Sequence, residues 1–305
     1  MKNKYTNVKK ILIKENSIGQ RVDNFIKKKF KKISKNAIYT MIRKGRIRIN
    51  KKRIKAKNKL KKNDIIRIPP IYKTYKNKKK KICIKYYKKL IKKRILYEDK
   101  YLIIINKPKK LAVHGGSGIN FGIIEIIRFI YPTEKNLELV HRLDKETSGI
   151  LIISKKKFAL KSLHEQIKNR TTKKTYIAAV HGTWPKERKV VKLPLLKTKN
   201  IFGKRLVIVK KNGKMSETKF KIKKKYENIT ILKIRPITGR THQIRVHTSK
   251  IGYPIVNDNR YGNRNLDKKV NINNKNLCLH ACKFSFIHPK TNKKINIISN
   301  EKIIF

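Results

Sequence analysis

One aspartate is notable for the residues around it. Asp144 lies in the segment 141–149, His-Arg-Leu-Asp-Lys-Glu-Thr-Ser-Gly, directly before the apolar run 150–153. That run predicts a buried strand, and rigid elements of this kind often hold a loop that presents a reactive side chain. A carboxylate in such a loop can act as a nucleophile or as a base. Asp and Thr-Ser-Gly also form turns, so a structural role as a turn residue or helix N-cap stays open.

Two further stretches carry side chains that can assist a carboxylate. Residues 238–247 read Thr-Gly-Arg-Thr-His-Gln-Ile-Arg-Val-His and include Arg240 and Arg245. This stretch predicts a helix capped by Thr241, and a cationic helix start suits phosphate or carboxylate. Residues 174–182 read Lys-Thr-Tyr-Ile-Ala-Ala-Val-His-Gly and predict a strand that bears Tyr176.

The three segments resemble, in the same order, three signatures of the RluA-type pseudouridine synthases. The first is similar to His-Arg-Leu-Asp-x-x-Thr-Ser-Gly, whose aspartate is catalytic in that family. The other two resemble its Arg-bearing signature and its Tyr-bearing strand. The resemblance covers roughly the whole chain. The intervening stretches 112–118 and 162–166 look most like members that modify several uridines of 23S ribosomal RNA.

The resemblance implies a role for each matching residue. Asp144 would act on the ribose, with Arg245 as its paired cation and Tyr176 against the uracil face. Leu279 would form the opposite wall. The resemblance also implies two RNA-binding residues, Arg142 and Arg240. Arg142 would fill or hold the space left by the extruded base, although an ordinary salt bridge is an equal alternative for this residue.

The expected reaction converts uridine into pseudouridine. The bond from ribose C1′ to base N1 breaks, the base rotates, and a new bond forms through C5. One ionised carboxylate can serve this isomerisation, either by attacking C1′ or by removing a sugar proton, and both routes stay open. Because substrate and product are isomers, we expect no cofactor and no metal. The target base must first leave its stack in the folded RNA.

The charge of the chain favours an RNA partner. It has 84 Lys and Arg against 17 Asp and Glu, a net charge of +67. Lysine dominates this excess and has A- and T-rich codons, so part of the charge can reflect codon drift.

A two-metal RNA hydrolase would need acidic clusters that so acid-poor a chain lacks. A non-catalytic RNA-binding or ribosome-assembly protein explains the charge but not the three motifs. A sister synthase acting on another ribosomal or transfer RNA uridine stays an alternative.

Residues 1–70 predict a small basic module. An amphipathic helix begins near Val22, Ser34 caps a second helix, and Gly45 closes it before a basic hairpin. This order resembles the S4 RNA-binding domain, although a plain basic surface is the structural alternative. The S4 resemblance implies that the end of the second helix and the following loop meet RNA phosphates through Arg43, Lys44 and Arg46.

Residues 71–93 contain the run Lys78–Lys81 and predict a flexible basic linker. We expect residues 94–305 to form the catalytic domain. Strands and helices without regular alternation predict an α+β fold, a largely antiparallel mixed sheet flanked by helices, which the resemblance also implies.

The loop 257–262 departs from the Gly-Asp spelling common in the wider family. This departure puts the shape of the loop in question but changes none of the catalytic assignments.

Cysteine content and hydropathy indicate the compartment. Cys83, Cys278 and Cys282 are too few for a disulfide framework, which favours a reducing compartment. Cys278 and Cys282 flank His280, but no second Cys/His pair completes a four-ligand metal site. No apolar stretch approaches the ~18 residues of a spanning helix. We therefore expect a cytoplasmic protein with no membrane association, acting as a monomer.

Overall fold

The computed structural model describes residues 7–30, 33–71, 79–115, 121–199, 205–270 and 275–299. The chain divides into two compact units, Met1–Lys80 and Lys81–Phe305. Of the stretch 112–118 singled out in the sequence, residues 116–118 lie outside the described part of the chain.

The N-terminal unit combines two helices with a small antiparallel sheet. Its elements are β1 (Lys9–Leu12), α1 (Val22–Lys29), α2 (Lys35–Arg43), β2 (Arg48–Ile49), β3 (Lys52–Arg53) and β4 (Ile65–Ile68). The sheet has the order β1-β4-β2-β3. As predicted, Ser34 caps α2, and its hydroxyl accepts a hydrogen bond from the backbone N–H of Ala37 at 3.2 Å. The apolar stripes of both helices pack with the sheet around Val22, Ile26, Ile38, Ile42 and Ile66.

The C-terminal unit contains the remaining strands and helices. They are α3 (Lys79–Lys92), β5 (Ile95–Glu98), β6 (Leu102–Lys107), α4 (Ile123–Ile130), β7 (Glu138–Leu139), β8 (Ser148–Ser154), α5 (Lys157–Lys168), β9 (Lys173–His181), β10 (Val190–Lys199), β11 (Arg205–Val209), β12 (Lys214–Lys225), β13 (Ile229–Pro236), α6 (Gln243–Lys250), α7 (Arg264–Lys269), β14 (Leu279–Ile287) and β15 (Lys294–Ile298).

The strands of this unit form one eleven-stranded sheet. Its main order is β11-β10-β12-β13-β9-β14-β8-β6-β5, with β15 paired to β14 and β7 to β8. Among the described residues the β8/β14 pairing is parallel and the other pairings are antiparallel. The predicted α+β fold with a largely antiparallel mixed sheet is confirmed.

Helices cover both faces of β8, which explains its unbroken apolar run. Leu151 and Ile153 pack with α4, whereas Ile150 and Ile152 pack with Ala159 and Leu163 of α5. Successive residues of a strand point to opposite faces of the sheet. Alternate residues of β8 therefore meet different helices, and every position in the run is buried.

The start of β8 is fitted closely against β14. Gly149 has φ +112°, and a Cβ at this position would collide with the backbone carbonyl of Ala281. Ala281 also lies opposite Tyr176 on β9. Strand β14 therefore joins the loop that carries Asp144 to the strand that carries Tyr176.

Two features differ from the sequence-based expectation. The flexible linker predicted over residues 71–93 is wrong over Lys79–Lys92, which form α3. Tyr87 and Ile91 are one helical turn apart and pack into the core of the C-terminal unit, a spacing that the surrounding lysines concealed. Strands β10 and β11 were not predicted, because Pro194 within β10 is untypical of a paired strand.

Candidate active site

The loop before β8 presents Asp144 without using its carboxylate for local structure. The backbone carbonyl of Asp144 accepts a hydrogen bond from Thr147 N at 3.2 Å, which closes the turn. No backbone N–H in the described residues donates to the carboxylate, so the N-cap alternative does not hold. The fully buried Lys107 secures the loop, because its ammonium donates to the carbonyls of Pro108, Leu111 and Lys145 at 2.8, 2.8 and 3.1 Å.

Arg245 on α6 contacts two carboxylates with different edges of its guanidinium. Nε and Nη2 donate to the carboxylate of Asp258 at 2.8 and 2.6 Å, a bidentate fork. Nη1 donates to Asp144 Oδ2 at 3.4 Å. The side chain of Asp258 is 1% exposed, whereas that of Asp144 is 17% exposed. Asp258 therefore fixes the guanidinium, and Asp144 meets its remaining edge while staying accessible.

The bidentate ion pair between Arg245 and Asp258 keeps both side chains charged. Burial raises the pKa of Asp258, but the hydrogen bonds and charge of Arg245 outweigh that effect and hold its pKa below the ordinary value. Burial likewise opposes the charge of Arg245, but Asp258 and Asp144 raise its pKa. Asp144 therefore faces a fixed cation within a partly buried site.

His242 approaches the same carboxylate oxygen of Asp144 as Arg245 does and is uncharged at neutral pH. Its Nε2 is 3.7 Å from Asp144 Oδ2, and its Nδ1 shares a hydrogen bond with the Tyr261 hydroxyl at 2.7 Å. Burial, assisted by the nearby arginines, lowers the pKa of His242 to about 4. The expectation that Thr241 caps α6 is wrong, because the N-cap residue is His242 in the left-handed conformation, φ 53°, without a side-chain cap.

Asp144, His242 and Arg245 line a cavity of about 400 Å³. Such a volume lies in the range of small-molecule sites. Tyr176 is partly buried in its wall, and burial together with the charge of Asp144 raises the pKa of the Tyr176 hydroxyl well above its ordinary value. The structure brings six of the residues singled out by sequence to this cavity: Arg142, Asp144, Tyr176, Arg240, Arg245 and Leu279.

The candidate RNA-binding residues are solvent-exposed. Arg142 makes no ion pair within the described part of the chain, so the salt-bridge alternative has no partner there. Arg240 is exposed at the turn before α6, and its Nε donates to Met215 O at 3.4 Å. The other three lie in the N-terminal unit, at the end of α2 and in the turn after it, and are also exposed: Arg43, Lys44 and Arg46.

The sequence analysis missed Asp258, Lys107 and His242. The loop 257–262 was considered only for its departure from the family spelling, but it supplies Asp258, which holds Arg245. The sequence offered only a general signal for Asp258. An arginine on the buried face of a helix requires a carboxylate partner, and the chain has few Asp and Glu residues.

The described residues contain no group of three His, Cys, Asp or Glu side chains placed to hold a metal ion. His280, from the Cys278–Cys282 stretch, instead bonds the hydroxyls of Ser148 and Ser299 at 2.9 and 3.0 Å. The helices described here also include none with the length and apolar character to cross a membrane.

Comparison with known proteins identifies the family. The RNA pseudouridylate synthase family matches residues 101–250, which include Asp144, Tyr176 and Arg245. Ribosomal large subunit pseudouridine synthase C of Buchnera aphidicola subsp. Schizaphis graminum is 52% identical over 309 residues, covering 100% of this chain and 98% of its own. The chain belongs to the RNA pseudouridylate synthase family. The predicted RluA-type identity and isomerase class are thereby confirmed.

Other relatives of this pseudouridine synthase carry the same name. The protein of Pasteurella multocida is 47% identical, covering 95% of this chain and 89% of its own, and that of Salmonella typhimurium is 43% identical, covering 97% and 94%. The S4 domain family matches residues 20–66, which confirms the S4-like module. Among solved structures, Human RNA Pseudouridylate Synthase Domain Containing 4 shares the fold with a TM-score of 0.59 at 23% identity, covering 72% of this chain and 93% of its own.

Proposed function

We propose that this protein converts specific uridines of 23S ribosomal RNA into pseudouridine, with Asp144 as the catalytic residue. Its relatives named Ribosomal large subunit pseudouridine synthase C, 43% to 52% identical over nearly the whole chain, support this substrate. The observation that carries the chemistry is the contact at 3.4 Å between the accessible Asp144 carboxylate and the buried Arg245.

In the proposed reaction the carboxylate of Asp144 acts on the ribose. It either bonds to C1′ as N1 departs or removes a sugar proton; both routes break the N1–C1′ bond and free the base to turn. A bond then forms between C5 and C1′, while the Asp144–C1′ bond breaks in the first route or the sugar proton returns from Asp144 to the ribose in the second. Loss of the C5 proton and protonation of N1 complete the isomerisation, so no electrons or groups are exchanged.

The other cavity residues support this step. The guanidinium of Arg245 places a fixed positive charge 3.4 Å from the Asp144 carboxylate that both routes use. The ring of Tyr176 supplies a face against which the uracil lies, with Leu279 on the opposite wall. The raised pKa of Tyr176 keeps its hydroxyl protonated, so this residue acts by packing and as a hydrogen-bond donor.

The exposed arginines would hold the RNA around the extruded base. Arg142, two residues before Asp144 and without an ion pair in the described residues, is available to occupy the vacated space, and Arg240 to contact a phosphate. In the S4 domain, Arg43, Lys44 and Arg46 would contact further phosphates. We further propose that the protein acts as a cytoplasmic monomer. The reaction should need neither metal nor cofactor, because uridine and pseudouridine are isomers.

Replacement of Asp144 by Asn tests the proposal. The amide keeps the shape of the side chain but can neither attack C1′ nor accept a sugar proton. We expect Asp144→Asn to lose tritium release from 23S ribosomal RNA labelled at uridine C5, while RNA affinity is retained. Because no backbone N–H in the described residues donates to the carboxylate, stability should change by less than the ~0.5 to 2 kcal/mol of a lost cap.

The matched control is Glu146→Gln, which removes one carboxylate from the same loop. It should release tritium at the wild-type rate. Tritium release by the folded Asp144→Asn protein at a rate near that of wild type would refute the catalytic role of Asp144. If the wild-type protein releases tritium from another RNA but not from 23S ribosomal RNA, the proposed substrate is wrong.

A further inference from the structure

A second concave surface lies on the exposed side of the large sheet. Strands β12, β13, β9, β14 and β15 form its floor, and its volume is about 420 Å³. Its charged side chains are all cationic and solvent-exposed. We call this surface the basic trough and define it by Lys173, Lys219, Lys221, Lys233, Arg235, Lys283 and Lys294.

Strand register places the charges of the basic trough directly against one another. Lys219 lies opposite Arg235, and Lys221 lies opposite Lys233, on neighbouring strands. Like charges in such cross-strand pairs destabilise a sheet. A bound polyanion would turn this repulsion into a favourable interaction.

The described residues supply no counter-charge for the trough. None of its seven cations forms an ion pair within the described part of the chain. Strand β12 does carry a carboxylate on this face, Glu217, but Glu217 pairs with Lys192 at 3.6 Å and does not line the trough.

We propose that the basic trough binds the phosphate backbone of the RNA substrate outside the target nucleotide. The proposal rests on the proposed function, because it takes the same RNA as the partner. Adjacent strands lie about 4.8 Å apart, so five strands span roughly 19 Å, enough for several phosphates in succession. The hydroxyls of Thr175 and Ser285 lie between the cations and supply further donors.

The basic trough adjoins the active-site cavity. Arg235, near the end of β13, lines both the trough and the cavity that contains Asp144. The trough lies on the sheet face opposite Tyr176, because Lys233 and Arg235 flank Ile234, which is paired with Tyr176. An RNA strand leaving the cavity would therefore pass around the end of the strands at Arg235 to reach the trough. The trough would hold the RNA that flanks the modified uridine through its phosphates. Contacts to the bases of that RNA would not be required.

The test compares two triple variants of the full chain. Lys219→Gln, Lys221→Gln and Lys233→Gln remove three charges from the trough. The control removes three exposed charges that line neither cavity, through Lys186→Gln, Lys268→Gln and Lys269→Gln. Binding of a 23S ribosomal RNA transcript is measured against salt concentration. We expect the slope of log K against log salt to shrink by about 2 to 3 for the trough variant only.

Lysine acetylation read by mass spectrometry provides a second measurement on the unmodified protein. The transcript should protect Lys219, Lys221 and Lys233 from acetylation, but not Lys186, Lys268 or Lys269. Equal salt slopes for the two triple variants, or trough lysines that react equally with and without RNA, would overturn the proposal and indicate an acidic protein as the partner. Wild-type tritium release is recorded in parallel; its absence would count against the proposed function, whatever the slopes.

Discussion

At the scale of single residues, Arg245 divides its donors between two carboxylates. The fork to Asp258 holds the guanidinium in place, so the position of the cation does not depend on Asp144. The carboxylate of Asp144 makes one longer contact, at 3.4 Å, and is 17% exposed. This division separates the structural task of burying a cation from the catalytic task that we propose for Asp144, which is to present its carboxylate to the ribose.

Substitution of Arg245 separates these two tasks. Arg245→Met leaves Asp258 as a buried, unpaired carboxylate and should destabilise the fold by about 3 to 5 kcal/mol. The double variant Arg245→Met, Asp258→Asn removes both charges and should recover a large part of that stability, as measured by urea unfolding. Both proteins should lose tritium release, because neither offers Asp144 a cation. Wild-type turnover by the folded double variant would show that Arg245 is not required beside Asp144.

Tyr176 permits a test of packing against hydroxyl chemistry. Tyr176→Phe keeps the aromatic face, and the buried hydroxyl is already protonated because its pKa is raised. We expect Tyr176→Phe to retain most of the tritium release and Tyr176→Leu to lose more, since a leucine offers uracil no aromatic face. Equal losses from the two variants, measured as kcat on the same RNA, would instead assign the function to the hydroxyl.

At the scale of elements, α6 is tied to β12 through a buried histidine. His247 is fully buried, and its Nε2 shares a hydrogen bond with the Ser216 hydroxyl at 2.8 Å. Burial lowers the pKa of His247 to about 4. The unfolded chain therefore binds a proton at His247 between about pH 6.5 and pH 4 that the folded chain does not. Stability contributed by the neutral histidine is present above pH 6.5 and is lost as pH falls towards 4.

This linkage predicts a weaker acid sensitivity in His247→Gln. A glutamine at position 247 can reach the Ser216 hydroxyl but does not titrate. The free energy of unfolding of the variant should therefore fall less between pH 7 and pH 5 than that of the wild-type protein. The largest slope that one histidine can contribute is about 1.4 kcal/mol per pH unit. Urea unfolding at several pH values provides the measurement. Parallel pH profiles for the two proteins would contradict the assignment of the shift to His247.

Elements with a regular apolar pattern were predictable, whereas those fixed by remote contacts were not. The run 150–153 predicted β8, and Ser34 predicted the start of α2, because both signals are local. Helix α3 was missed since its lysines concealed the contact made by Ile91. The left-handed His242 at the start of α6 depends on Tyr261 and on the preceding loop, which a local pattern does not contain.

The same limit applies to the site. Asp144, Tyr176 and Arg245 were predictable because each lies in a motif that resembles a known signature. Asp258 was not, because its contribution is a carboxylate 13 residues away from Arg245 across a loop of irregular conformation. A buried charge requires a partner of opposite charge, but the loop conformation decides which residue is that partner.

At the scale of the whole molecule, the S4 domain and the synthase domain should make separable contributions to RNA binding. Replacing Arg43, Lys44 and Arg46 by Gln removes three exposed charges without touching the cavity. The slope of log K against log salt should fall by about 2 to 3, and tritium release should persist at high enzyme concentration. The control is again Lys186→Gln, Lys268→Gln and Lys269→Gln. A slope that matches this control would exclude the three residues as phosphate contacts.

Strand β14 has a consequence for the protein during its own synthesis. It lies between β9 and β8, and within the sheet it is the strand that links the Tyr176 side to the Asp144 side. Strand β14 (Leu279–Ile287) follows both β8 and β9 in the chain, so its residues emerge from the ribosome after the two strands that it joins. The nascent chain therefore cannot form the sheet connection between Tyr176 and the Asp144 loop until β14 has been synthesised.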